Sequence, residues 1–480
     1  MDRNAVFDHI DAQVDQHIAN LQAFVRQPSI SQTGEGIGEC AAMLARILSD
    51  LGCQKSEIVS TPGHPVVFAT LDAGQPRTLI IYSMYDVQPA DEPDWSVPPF
   101  EGRLVERAPF GRCLMARGAR NTKGPLRSFL NVVEAITAVH DRTPVNLIFV
   151  IEGEEEQGSR HLPGFIADHQ TALGKADAMY FPHAVQSSNG AGKILLGSKG
   201  LLYLELECSG ELWGRGPQES AIHSALKPIV DSPAWRMVHA LSTLTSVDGN
   251  RIAIPGFYDQ VRPPSAVDEG LLEAMLPGFE PDVGYGLHRF ADDLDGLALA
   301  RQFLFAPSLN IDGIWGGYTG PGSKTVTPHR VRAKLDFRLV PNLDVQQTLG
   351  LLRRHLDRHG YADIQITVLG RAEWSKCSVN ESLPQAAIRA YRSLGVEPEV
   401  WPMNPGTAPF FLFNRPPLNL PFCVAGLGHS ARPHAPDEFL VIEGNDRVCG
   451  LAGLEKSFAA VLYEFAESSG AGSADTGTSP

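Results

Sequence analysis

Residues 145–156 read VNLIFVIEGEEE, an apolar, β-branched run that ends abruptly in acids. A short run with no polar alternation fits a strand covered on both faces. Residues 78–87, TLIIYSMYDV, have the same character and end at Tyr85-Asp86. Between them, PLRSFLNVVEAITAVH (125–140) spaces its apolar residues as a helix does. Strand, helix and strand in that order imply an α/β domain with a mostly parallel sheet. In such sheets ligands bind beyond the carboxyl ends of the strands, which is where both acidic segments fall.

Outward from this centre, Val6, Ile10, Val14, Ile18, Leu21 and Phe24 predict one amphipathic helix over residues 5–26, stopped by Pro28. Residues 38–51 predict another helix, and HPVVFATLDAG (64–74) a strand. Downstream the pattern changes. LLYLELECSGEL (201–212) and KTVTPHRVRAKLDFRLVP (324–341) alternate polar and apolar residues, as strands of a sheet with one wet face do. SPAWRMVHALSTL (232–244) and VQQTLGLLRRHLDRHG (345–360) read as helices, and ADIQITVLG (362–370) as a further strand. These segments predict an α+β insert over 201–378 that interrupts a first domain of residues 1–200 and 379–466. The last residues, 467–480, have the composition of a solvated tail.

The chain has 480 residues, with 55 acidic against 40 basic side chains and a net charge of −15. That balance excludes nucleic acid and anionic membranes as partners, because both select clustered Lys and Arg. The cysteines (40, 53, 113, 208, 377, 423, 449) are odd in number and never form a CxxC pair, so reduced thiols and a cytoplasmic location are expected. The charged start MDRNAVFDHIDAQ does not resemble a signal peptide, and no apolar run is long enough to span a membrane.

Four carboxylates, Glu152, Glu154, Glu155 and Glu156, fall within five residues. They repel one another unless solvated or met by a cation. A solvated loop is the plain reading; the strand end and the Gln157-Gly158-Ser159 turn favour a site. Histidines supply the second element: His183 after the strand DAMYF, His223 in AIHSALKP, and His434 in the Pro-flanked ARPHAPDEF. Together with the acids they make a hydrolytic site plausible.

IIYSMYDVQPADEPDW (80–95), LMARGARNTKGP (114–125), IEGEEEQGS (151–159), IHSALKP (222–228), IPGFYDQV (254–261), IDGIWGGYTGPGSKTVTPHRVRAKLDFRLVP (311–341) and RPHAPDE (432–438), in that order, resemble the di-zinc amidohydrolase and exopeptidase family of carnosinases, aminoacylases and glutamate carboxypeptidases. DVQP, PGFYD and GYTGPGSKT point to its carnosinase-like dipeptidases. The resemblance runs from about residue 5 to 466. It implies an α/β catalytic domain interrupted by an α+β lid, homodimerisation through that lid, and two zinc ions that share a bridging carboxylate and activate a water.

Carried over residue by residue, the resemblance implies Glu155 as general base and Glu156 and His434 as metal ligands. It implies His223 as the lid residue at the substrate carbonyl, Arg338 as the clamp on a substrate carboxylate, and Gly406-Thr407 as a substrate loop. Asp86 is kept. Three ligand positions depart from the pattern. Met84 stands where the family has a histidine, Asn121 where it has the bridging Asp, and His183 where it has an Asp or Glu. A thioether and a neutral amide are poor zinc ligands. Without a charged bridge, two dications ~3.5–4 Å apart repel one another uncompensated.

The reading is therefore an enzyme acting on a small amide, dipeptide-like or N-acyl amino acid substrate with a free carboxylate. Its metal centre holds one divalent ion, zinc or another, on Glu156, His183 and His434, or none. Two alternatives stand beside it. One is a metal-independent enzyme using Asp86, Glu155, His183 and His223 for isomerisation, elimination or condensation of an amino-acid-like intermediate. The other is an inactive binder. Plainer roles compete for single residues. Met84 packs in a core, Asn121 caps the helix after it, and Arg338 pairs with a lid acid. Glu152 is a turn carboxylate, Glu154 a solvated one, and His329 and His429 are ordinary loop histidines.

Overall fold

The computed structural model describes residues 1–281, 287 and 289–468; residues 469–480 of the expected tail lie outside them. The chain first lays down β1 (Lys55–Val59), β2 (Val66–Leu71), β3 (Thr78–Met84), β4 (Asn146–Glu152), β5 (Ala178–Pro182) and β6 (Gly192–Leu195). It then leaves for the insert, which contains β7 (Gly200–Ser209), β8 (Ser308–Gly316), β9 (Arg330–Leu339) and β10 (Gln365–Ala372). It returns with β11 (Pro398–Trp401) and β12 (Phe422–Ala425). The central sheet has the order β1-β2-β4-β3-β5-β12-β6-β11. Its middle is parallel: β3 pairs in parallel with β4 and β5, and β12 with β5.

β3 and β4 read as buried, and six of seven residues in each are. Helices cover one face of the sheet. Phe129 of the helix Lys123–His140 meets Phe149, Tyr180 and Phe458 in edge-on ring contacts. Within this layer the buried His17 Nδ1 lies 2.6 Å from Glu455 Oε2, and Asn131 Nδ2 donates to Glu455 Oε1 at 2.8 Å. That network fixes the N-terminal helices to the C-terminal one. The single helix expected over 5–26 is two, Arg3–Ala12 and Val14–Arg26. Gln13 leaves helical geometry at φ −106°, ψ 8°, which periodicity alone does not reveal.

The insert carries a four-stranded antiparallel sheet, β8-β9-β7-β10. Along β7 the buried Leu202, Leu204, Leu206 and Cys208 alternate with half-buried Tyr203, Glu205 and Glu207. The apolar face packs on the helices Pro233–Ser242 and Val345–Arg358. Two other helices of the insert, Ala266–Met275 and Gly296–Phe305, instead pack on Trp401 and Met403 beside the outer strand β11 of the central sheet. Among the described residues no helix is long and apolar enough to cross a membrane.

Candidate functional site

A cavity of about 1510 Å³ lies beyond the carboxyl ends of the central strands and is roofed by the insert. Met84, Asn121, Glu155, Glu156, His183, Arg338, Gly406, Thr407 and His434 all line it. Asp86 lies beneath the floor, fully buried, and accepts hydrogen bonds from the backbone amides of Glu155 (3.2 Å) and Glu156 (3.0 Å). It thereby ties the end of β3 to the turn after β4. His223 is apart from the cavity lining. It is exposed on the insert, where its Nδ1 accepts from the Ala225 amide at 3.0 Å and its Nε2 lies 3.3 Å from Thr325 Oγ1.

Asn121 does not cap the following helix. Thr122 is the N-cap residue, and its hydroxyl donates to the Met84 carbonyl at 2.9 Å. The Asn121 side chain instead points into the site. Its Nδ2 donates to Glu156 Oε1 at 2.7 Å and lies 3.0 Å from His434 Nε2. His434 Nε2 is itself 3.1 Å from the Glu156 carboxylate. The other carboxylate oxygen, Oε2, accepts from Gln88 Nε2 at 2.9 Å. Both oxygens of Glu156 are thus satisfied by groups of the chain. Met84 is buried among Ile80, Tyr82, Phe181 and Phe410, as its packing reading expects, while its edge reaches the cavity. Among the described residues, no three His, Cys, Asp or Glu side chains form a group that could hold a metal ion.

The acids at the end of β4 are not solvated. Glu152 is buried and accepts from the Tyr82 hydroxyl at 2.5 Å and from Ser159 Oγ at 2.9 Å. Glu154 is buried against His161 Nδ1 at 2.8 Å. Both sequence expectations, a turn carboxylate and a solvated one, are corrected by partners that lie elsewhere in the chain. Burial, then the charge of Glu156, pushes Asp86 up to about 7, against hydrogen bonds that lower it. Burial pushes Glu152 up to about 8. Burial, then Glu156 and Asp86, holds Glu155 well above the usual carboxylate range. His434 titrates above its ordinary value because of its bond to Glu156. Burial, then the Arg120 charge, drives His183 down to about 3, so its ring stays neutral.

The Glu152 value has a direct consequence for stability. A carboxyl whose folded pKa lies near 8 stabilises the fold fully below its unfolded value near 4.5, and that contribution is lost as pH rises through 8. Glu152→Gln keeps an oxygen for Tyr82 and Ser159 but cannot ionise. Thermal unfolding across pH is expected to show the two proteins close at pH 5. At pH 9 the variant is expected to be more stable, by on the order of 3 kcal/mol.

Arg338 reaches from β9 across to the first domain, donating to Thr407 Oγ1 at 3.0 Å and to Asp336 Oδ1 at 2.9 Å. Both the pairing with an acid of the insert and a place in the cavity therefore hold. Several residues of the site carry weaker sequence signals. Glu438 is buried, accepts from Arg117 Nη1 at 3.0 Å, and receives the backbone amides of Gly118 (3.1 Å), Arg120 (2.8 Å) and Asn121 (2.8 Å). It shapes the whole RGARN turn, and its only signal is an acid four residues after His434. Arg120 and Lys193 also line the cavity. His429, read as an ordinary loop residue, lines it too, with Nδ1 2.9 Å from the Gln186 carbonyl.

The family model described as peptidase family M20/M25/M40 matches residues 80–449. The chain belongs to this family. Human Beta-Ala-His dipeptidase is 28% identical over 423 residues, 82% of this chain and 80% of that protein. A Cys-Gly metallodipeptidase of Schizosaccharomyces pombe is 26% identical over 376 residues, 75% of this chain and 76% of that protein. The crystal structure of an M20 family metallo-carboxypeptidase from Sulfolobus solfataricus superposes with a TM-score of 0.80 at 33% identity, covering 94% of this chain and 98% of that one. The fold of this chain, central sheet and insert together, is thus shared with that structure over nearly the whole length of both. The carnosinase-like dipeptidases are the M20 branch this chain is similar to.

Proposed function

We propose that the protein cleaves the amide bond of a small dipeptide-like or N-acyl amino acid substrate, at a centre that does not hold two metal ions. The observation that carries the second half is Asn121, whose amide stands between Glu156 and His434. Whichever way that amide is turned, it brings no negative charge to the position where two dications would need a shared carboxylate. Met84 likewise offers only a buried thioether. The residues present therefore do not fit a dinuclear zinc centre. Glu156, His183 and His434 are the donors available to a single divalent ion, and seating one requires His183 to approach the Glu156–His434 pair.

In this reading Arg338, steadied by Asp336, holds the substrate carboxylate, with Gly406 and Thr407 beside it. Glu155 faces the cavity with a carboxyl that makes no hydrogen bond or ion pair among the described residues, and it takes and returns the proton. Asp86 holds the Glu155–Glu156 turn through its two amides. A second reading, metal-independent acid–base chemistry on an amino-acid-like molecule, is favoured by the full satisfaction of Glu156 without any ion. His223, exposed and away from the cavity, fits a residue completed by a second copy of the chain. The edge strand β8, with Ile311, Ile314 and Trp315 exposed, offers a surface for that copy.

The test is chromatography of reactions with a panel of dipeptides and N-acyl amino acids, with and without chelator. Release of both halves of at least one substrate is expected. A product of unchanged mass, one larger than the substrate, or fragments that have taken up no water would replace hydrolysis by the second reading. Binding without any turnover would overturn both.

A further inference from the structure

We infer that Lys199 is a positioning residue of the carboxylate clamp: its backbone holds the Gly406-Thr407 loop, its ammonium sets a second positive charge behind Arg338, and the preference for a substrate with a free carboxylate is lost when that ammonium is neutral. This rests on the amide-cleaving reading above. Lys199 directly precedes β7, where the first domain passes into the insert, and it is 5% exposed. Its amide donates to the carbonyl oxygens of Asn404 (3.2 Å) and Gly406 (3.0 Å), which fixes the substrate loop to the start of the insert. Arg338 Nη1 donates to Thr407 Oγ1 of the same loop. The Lys199 side chain bears on Arg338 as well. Leu201 of β7 and Ser308 of β8 are the two residues paired with Arg338 in the sheet. Lys199 stands two residues before Leu201, and its Nζ donates at 2.6 Å to the carbonyl of Ala306, two residues before Ser308. The side chain thus spans from the entry of β7 to the entry of β8, past the end of β9 that carries Arg338.

The charge around this ammonium is one-sided. It closes no ion pair among the described residues, and its hydrogen bond goes to a neutral carbonyl just past the helix Gly296–Phe305. The acids nearby are engaged elsewhere. Asp336, with Asp312 of β8 beside it, accepts from Arg338 Nε at 2.9 Å. Glu373, close to Gly200, lies 3.5 Å from Arg415 and accepts the Val345 amide at 3.3 Å. Asp268 holds Lys376, the residue paired with Gly197, at 2.6 Å. Burial, then the Arg338 charge, lowers Lys199 to about 8. Two like charges in a poorly solvated region repel until an anion joins them. A carboxylate seated on Arg338 relieves that repulsion, and a neutral amide of the same shape does not. The ammonium is charged below its pKa and neutral above it, so its help to a bound carboxylate is present at pH 7 and is lost as pH rises through 8.

Two isosteric probes that do not ionise between pH 7 and 9.5 test this: N-acetyl-alanine, a carboxylate, and N-acetyl-alaninamide, which is neutral. Calorimetric titration of the full chain across that range, with chromatography to follow any cleavage, is expected to show the acid binding about tenfold tighter than the amide at pH 7. About fivefold of that preference is expected to disappear by pH 9.5. Lys199→Met is expected to show already at pH 7 the weak preference of the wild type at pH 9.5. Lys199→Arg, charged throughout, is expected to keep the full preference at both ends. Equal binding of the two probes, or binding of neither, would overturn the inference. So would a fall with pH that is undiminished in Lys199→Met, because it would belong to Asp86 and Glu152, which lose protons in the same range. If Lys199→Met does not fold, a fall in Lys199→Arg as large as in the wild type overturns the inference equally. If the expected pattern holds and no dipeptide or N-acyl amino acid is cleaved, amide hydrolysis fails as the function and the role of Lys199 stands. If an amide is cleaved and both variants keep the wild-type preference at every pH, hydrolysis stands and the role of Lys199 falls.

Discussion

Glu155→Gln is expected to lower turnover about 10²–10⁴-fold while leaving the protein at least as stable as the wild type. The carboxyl lines the cavity and has no structural partner among the described residues. It is crowded by Glu156, Asp86 and Glu152, whose charges raise its pKa after burial does. An amide of the same shape relieves that crowding, so thermal unfolding is expected to hold or rise. The pairing of a large kinetic loss with no loss of stability separates a proton-transfer role from a structural one. Steady-state kinetics on the best substrate of the panel, beside thermal unfolding, reads both. A variant with near wild-type turnover would remove Glu155 from the chemistry.

Glu438→Ala is expected to produce the opposite signature, a loss of stability of about 3–5 kcal/mol in denaturant unfolding. Its carboxylate is fully buried and offsets Arg117, whose side chain is 1% exposed. Removing it leaves the guanidinium buried with only the partly exposed Glu92, at 3.1 Å, as a charged partner. Three backbone amides of the turn lose their acceptor as well. Because that turn presents Arg120 and Asn121, ligand binding is expected to weaken in parallel. A variant that loses binding but keeps full stability would show that Glu438 acts in some other way than by holding the turn.

The sheet was legible in the sequence because its central strands are buried on both faces. TLIIYSM and NLIFVIE carry no polar alternation, and both run straight into the acids of the site. The insert was legible for the converse reason, since Leu202, Leu204, Leu206 and Cys208 alternate with half-exposed neighbours. What escaped a linear reading depends on partners distant in the chain. Glu152 is buried against the Tyr82 hydroxyl, 70 residues earlier, while Ser159 and His161 meet Glu152 and Glu154 from seven residues further on, where the turn folds back. Glu438 acquires its role from a turn more than three hundred residues earlier. Lys193 has no motif around it; it reaches the cavity because β6 joins the central sheet beside β12. Asn121 was visible as a departure from a familiar pattern, but its contact with Glu156 and His434 needed the fold.

The most direct test of the altered centre is elemental analysis of the full chain purified without chelator. No more than one tightly bound divalent ion per chain is expected, because Asn121 supplies no bridging charge and Met84 no imidazole. Two zinc ions per chain that survive dialysis would contradict it.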